Sequence, residues 1–316
     1  MTFSWRSVIA AGLTLLLAAC DSSHQRADLV YNNAYEPETV DPALTTGQPG
    51  IRMASSLFEG LTRFDKDGQT EPGMAEHWDV SPDGLTYTFH LRKTAAWSNG
   101  ESFVAEDFVK SWRRTLQPET GSKYVSQLFY IKNARAFSEG TLTDPAEVGF
   151  RAIGAHVLEV ELENPTPFFV DLCAFVTLSP IHLPSVEKYG DLWTRPANLV
   201  CNGPYRIAEW RLNHRIRLEK NAHYWDRENV ALETIDVLPI SDPNSSFNFF
   251  YSGLVDLATD KALVPTSLIG ALRDKPYFHS GNFLATYFIR FNVTRKPFDD
   301  PRIRQAFALA IDKDRI

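Results

Sequence analysis

The sequence predicts a mixed α/β fold. Three observations carry that prediction: short runs of period-two alternation, a longer run of helical periodicity between them, and no internal repeat. Taken in chain order, Leu85, Tyr87, Phe89 and Leu91 alternate with Thr86, Thr88, His90 and Arg92, which describes a half-buried strand. Ser98-Asn99-Gly100 is a turn signal. A helix is predicted to start near Val104. Glu106 and Asp107 fall in its first turn, where the helix dipole favours anions. Phe108, Val109, Trp112 and Leu116 share one face, Arg113 and Arg114 sit late, and Pro118 ends the run. Leu158, Val160 and Leu162 alternate with three glutamates, and Ile216 and Leu218 alternate with Arg215, Arg217 and Glu219; both stretches read as strands. Residues 286–293 read as a buried strand from their aromatic and β-branched content. The last element is a helix after Asp300-Pro301, a cap and a first-turn proline, with an apolar stripe of Ile303, Ala306, Phe307, Ala310 and Ile311. No Gly, Asn or Pro stops that helix before Ile316, so the polypeptide is expected to continue.

Composition narrows the class. A chain of 316 residues that is 44% hydrophobic and 22% charged is globular rather than disordered, with core for about two domains. With 39 acidic against 32 basic residues and no long basic run, the charge argues against nucleic acid as a partner. Three cysteines exclude a disulfide-built scaffold.

Residues 1–19 read as an export signal. Arg6 supplies a cation, and Val8–Ala19 is an uncharged stretch too short to cross a bilayer comfortably. Leu17-Ala18-Ala19-Cys20 resembles a bacterial lipobox, in which the cysteine thiol takes a diacylglyceryl group. Lipid attachment at Cys20 is therefore expected, with residues 20–28 as a polar tether and the folded body starting near Leu29. Asp21 resembles the signal for retention at the inner membrane.

No catalytic constellation is present. There is no G-x-S-x-G elbow, phosphate-binding Gly-rich loop or H-E-x-x-H, and no histidines stand at i, i+4, so neither an enzyme nor a metal site nor a cofactor is expected. Glu106-Asp107 reads as a helix-start charge pair, and Glu159, Glu161 and Glu163 as one solvated strand face. For Cys173 and Cys201, spacing leaves open both a bridge and two buried thiols.

An ordered string of short motifs then becomes recognisable. It runs through Leu57-Phe58-Glu59-Gly60-Leu61, Glu71-Pro72-Gly73-Met74-Ala75-Glu76-His77-Trp78, Ser81-Pro82-Asp83-Gly84-Leu85-Thr86-Tyr87-Thr88-Phe89-His90-Leu91-Arg92, Trp97-Ser98-Asn99-Gly100 and Ala105-Glu106-Asp107-Phe108. Later come Asn202-Gly203-Pro204-Tyr205, Leu218-Glu219-Lys220-Asn221, Tyr224-Trp225-Asp226 and Pro297-Phe298-Asp299-Asp300. The string resembles the family 5 solute-binding proteins of ABC importers, in the oligopeptide-binding or murein-peptide-binding branch, over essentially all of residues 29–316.

The resemblance implies a two-lobed, type II periplasmic-binding-protein fold. Residues 29–58 and 183–284 would form lobe one, residues 59–182 an inserted domain, and 285–316 the start of a truncated lobe two. Relatives run to roughly 500 residues, so most of lobe two is expected beyond Ile316, and residues 20–316 alone are expected to bind peptide weakly. The implied function is capture of oligopeptides in a closing cleft, by pairing with the peptide backbone, and delivery to an inner-membrane permease and its ATPase. A monomer held at the periplasmic face of the inner membrane is implied, with no bond broken. Carried over residue by residue, Thr46-Gly47-Gln48 matches a ligand-contacting loop, Tyr124 an aromatic lining the cleft, and Phe283 and Ala285 hinge-side contacts. Some relatives carry a carboxylate where Thr46 stands and a bridging cysteine where Ala285 stands. A nickel chelate, haem or sugar as ligand, and a truncated non-functional product, remain open beside the peptide reading.

Overall fold

Asn32, the last residue of the first strand of a mixed sheet, and Asn33 just after it are both fully buried and fix the path the chain takes next. The computed structural model describes residues 26–281 and 288–312. Cys20, Phe283 and Ala285 lie outside the described residues, as do residues 286–287 of the expected strand. The described chain falls into two compact units, one ending at Thr266 and one beginning at Ser267.

In the first unit, strands β1 (Leu29–Asn32), β8 (Tyr205–Arg211), β9 (Arg215–Lys220), β10 (Thr234–Leu238) and β11 (Leu257–Ala258) form one sheet in the order β11-β1-β10-β9-β8. β1 runs parallel to β10 and β11, whereas β8, β9 and β10 pair antiparallel. Ile216 and Leu218 are buried, as their alternation predicts. Arg215 and Arg217 pair with Asp236 on the neighbouring strand. Helix α1 (Gln48–Leu57) packs Met53 and Leu57 into the core of this sheet beside Tyr31, Ile216, Leu218 and Val237. Each large apolar side chain so buried contributes roughly 1.5–3 kcal/mol.

A second sheet is wholly antiparallel, in the order β4-β5-β7-β6, from β4 (Ala75–Val80), β5 (Thr86–Leu91), β6 (Phe150–Gly154) and β7 (Val157–Glu161). A two-stranded ribbon of β2 (Thr62–Phe64) and β3 (Thr70–Pro72) precedes it. Tyr87, Phe89 and Leu91 point into the core and their alternating partners do not. Helix α2 (Ala105–Leu116) covers this core with Phe108, Val109, Trp112 and Leu116. Its start is capped by Asp107, whose carboxylate accepts the Val104 N–H at 2.9 Å and the Trp97 indole N–H at 3.2 Å. The strand glutamates are held by charge: Glu159 pairs with Arg151, and Glu161 with Lys132 at 2.7 Å. They face the sheet surface, as the sequence reading expects.

Cys173 and Cys201 are both free and buried. Burial pushes the Cys201 thiol up to about 12 and the Cys173 thiol higher still, so both are inert, protonated core groups.

In the second unit, helix α3 (Pro301–Ala310) is capped by Asp300, whose carboxylate accepts the Arg302 N–H at 2.9 Å. Phe291, Phe298 and Phe307 form an aromatic trio with ring centroids 5.1–5.7 Å apart. The expected strand over 286–293 is corrected here. Residues 288–293 adopt no strand, and Phe288, Ile289 and Val293 are each more than half exposed. Strand-type side chains do not make a strand without a neighbouring backbone to pair with, and none flanks this stretch among the described residues.

Candidate functional site

The loop after β1 is built by its own polar side chains. The Asn32 amide donates to the Ile240 carbonyl and to Ser246 Oγ, both at 2.9 Å. Its oxygen accepts the Ala34 N–H at 3.0 Å, which holds Ala34 at a φ of 68°. Asn33 accepts from Arg52 Nε at 2.8 Å and donates to the Pro49 carbonyl at 3.1 Å, tying the loop to α1. Asp41 is buried, accepts the Ala43 N–H at 2.9 Å, and takes a two-pronged contact from Arg114 of α2 at 2.7 and 3.3 Å. Such a fork fixes both position and orientation.

The result is that Thr46, Gly47 and Gln48 stand exposed at the start of α1 while the turn beneath them is held firmly. Pro49, in the first turn, needs no N–H and suits that start. Tyr124 arrives from the other sheet's side of the unit. Its ring meets Phe175 edge-on at 5.4 Å, and its hydroxyl donates to the Thr46 carbonyl at 3.3 Å. Four of the six ligand-contact residues expected from the sequence are thus described, and they meet at one place. A hollow of about 200 Å³ opens beside them, lined by Tyr35, Glu36, Glu38, Thr46 and Gly47. Tyr35 and Glu38 are exposed, whereas Glu36 is engaged by Trp210 Nε1 and the Asn213 N–H.

A larger hollow of about 530 Å³ lies against Glu59, Arg63, Tyr224 and Asp226. Its polar groups answer one another. Glu59 accepts from Tyr224 Oη at 2.8 Å and from Trp225 Nε1 at 2.5 Å, while Arg63 meets Glu71 at 2.7 Å and Asp226 at 2.9 Å. The Arg92 guanidinium lies 3.5 Å above the Trp225 ring. Burial raises the Glu59 carboxyl above its usual range, against the hydrogen bonds from Trp225 and Tyr224 and the charges of Arg63 and Arg92. These groups spend their hydrogen bonds on each other, so the smaller hollow at Thr46 is the better candidate for a ligand.

The family model of bacterial extracellular solute-binding proteins, family 5, matches residues 69–316. This chain belongs to that family. The periplasmic oligopeptide-binding protein OppA of Salmonella typhimurium is 38% identical, aligned over 98% of this chain and 59% of its own length. The Escherichia coli murein tripeptide binding protein MppA has a solved structure that superposes with a TM-score of 0.86 at 33% identity, over 92% of this chain and 57% of that one. Haemophilus influenzae OppA, solved in complex with the peptide RPPGFSPFR, superposes with a TM-score of 0.82 at 34% identity, over 91% of this chain and 57% of that one. The family 5 chain therefore spans less than two thirds of the length of these relatives, and it has the α/β fold of periplasmic peptide-binding proteins.

In this family 5 chain the Glu59 hub is the feature that residue-by-residue reasoning did not anticipate. Its members were visible only as words, Phe58-Glu59-Gly60 and Tyr224-Trp225-Asp226, with nothing to say that they touch.

Proposed function

We propose that the protein is the substrate-binding component of a peptide ABC importer. It captures oligopeptides outside the cytoplasmic membrane and hands them to a permease and its ATPase. The observation that carries the reading is the match along nearly the whole chain to oligopeptide-binding relatives, one of them solved with a bound peptide. In this reading Thr46, Gly47, Gln48, Tyr124, Phe283 and Ala285 contact the peptide. The exposed loop on a rigid base, with Tyr124 hydrogen-bonded to it, supports that assignment. Residues 29–58 with 183–284 form one domain and residues 59–182 an inserted one, with 285–316 opening the second lobe. The separate cores of the two sheets support the first two of these. Lipid at Cys20 tethers the protein to the periplasmic face of the inner membrane.

The mechanism follows from what peptides have in common. Each brings a repeating backbone of donors and acceptors and a different set of side chains. A cleft that pairs with the backbone gains affinity without reading sequence, and roomy wet pockets accept varied side chains without stranding polar groups. The ligand leaves unchanged.

The test is calorimetric titration of the product of the complete reading frame, freed of carried-over ligand by unfolding and refolding, with a panel of tri- to pentapeptides. One-to-one binding that tolerates changes of central side chain, with intact peptide recovered by mass spectrometry, is expected. Failure to bind any member of the panel, or recovery of cleaved peptide, would sink the proposal.

A further inference from the structure

His77 lies on β4 and His90 on β5, and the two residues are direct antiparallel partners. Asp79 follows His77 by two residues and so shares its face of the sheet. Trp78, between them, points the other way and packs on Phe89. The two imidazoles are stacked, with centroids 4.3 Å apart and planes 9° from parallel. His90 Nε2 stands 2.9 Å from Asp79 Oδ2. One ligand atom from each of the three residues lies within 4.8 Å of the others.

We propose that His77, Asp79 and His90 bind one divalent transition-metal ion of the zinc, nickel and copper class, with water completing its coordination. Donor chemistry selects that class: two imidazoles and one carboxylate suit these ions, whereas magnesium and calcium need sets of oxygens. Distance permits it. Nitrogen and oxygen ligands about 2.0–2.2 Å from a tetrahedral ion stand a little over 3 Å apart. The present separations close to that by rotation of exposed side chains, Asp79 being 74% and His90 33% exposed. The backbone need not move, because strand pairing already sets the two histidines opposite each other. A bound ion would pin β4 to β5 across their open face. The place is separate from the Thr46–Tyr124 contact and does not depend on the peptide reading.

The test is titration of the untagged, metal-stripped product of the complete reading frame with zinc chloride, with magnesium chloride as control. One zinc site is expected, and His77→Ala and His90→Ala should each weaken it by at least about tenfold. Zinc should raise the thermal midpoint of the parent protein and leave that of the double histidine variant unmoved. Copper loaded in place of zinc should show nitrogen hyperfine structure from two imidazoles, reduced to one in His77→Ala. Circular dichroism of the variants checks that these replacements keep the fold. Equal zinc affinity in the parent and all variants would place the ion elsewhere, at the N-terminal Cys20 and His24 for example, and overturn the proposal. So would equal response to magnesium, or no zinc uptake below millimolar concentration.

Discussion

Glu59 is 6% exposed and accepts hydrogen bonds from Tyr224 and Trp225 while Arg63 stands by. Truncating it leaves the Tyr224 and Trp225 donors without their acceptor and removes one of the carboxylates around Arg63. Glu59→Ala should therefore cost about 3 kcal/mol at neutral pH, read by urea unfolding. A change within experimental error would show the hub to be ornamental. Asp28 works in the opposite electrostatic sense. Its carboxylate accepts the Thr234 and Glu233 N–H groups at 2.8 and 2.9 Å and clips the start of β10 to the chain entering β1. The backbone N–H of Thr234, first among these contacts, holds its pKa below the ordinary 3.8. A depressed folded-state pKa gives stability that is present above the unfolded value and is lost as pH falls through the folded one. Asp28→Asn should thus lose less thermal stability than the parent protein when pH falls from about 5 to about 3. Parallel acid profiles for the two proteins would contradict this.

At the scale of elements, the close approaches are made by glycine. Gly203 precedes β8 and donates its N–H to the Leu57 carbonyl at 2.8 Å, where α1 ends. A Cβ there would come within 2.5 Å of the Leu57 backbone. Backbone cannot step aside as a side-chain tip can, so Gly203→Ala should destabilise by about 2 kcal/mol with little change in secondary structure. A neutral substitution would mean that α1 and β8 can separate. β5 and α2 were legible in the sequence because each carries its period within a dozen residues and each has a partner to bury against. The described part of the stretch, 288–293, was misread because its composition states a preference that only a neighbouring strand can realise. The histidines show the converse. At i, i+4 no pair exists, yet strand pairing sets His77 against His90, thirteen positions on.

For the whole molecule, two cores hold two segments of chain in contact. One core lies under β5 and α2 and the other under β1, β9 and α1. Tyr124 and Thr46 come from separate stretches of chain and meet through one hydrogen bond. If that bond positions the loop for peptide, Tyr124→Phe should weaken binding roughly fivefold, about 1 kcal/mol, while leaving the unfolding midpoint nearly unchanged. Unaltered affinity would make Tyr124 a packing residue.

What the sequence determined by itself was the type of the strongly periodic elements, such as β5 and α2, and membership of the solute-binding family. Both are written locally, in periodicity and in short words kept in order. The tertiary structure alone decided that Glu59 meets Tyr224 across 165 residues, that Tyr124 meets Thr46 across 78, and that both thiols stay free. Such contacts depend on how sheets and helices pack, and no local pattern of side chains encodes the distance between two residues that the chain brings back together.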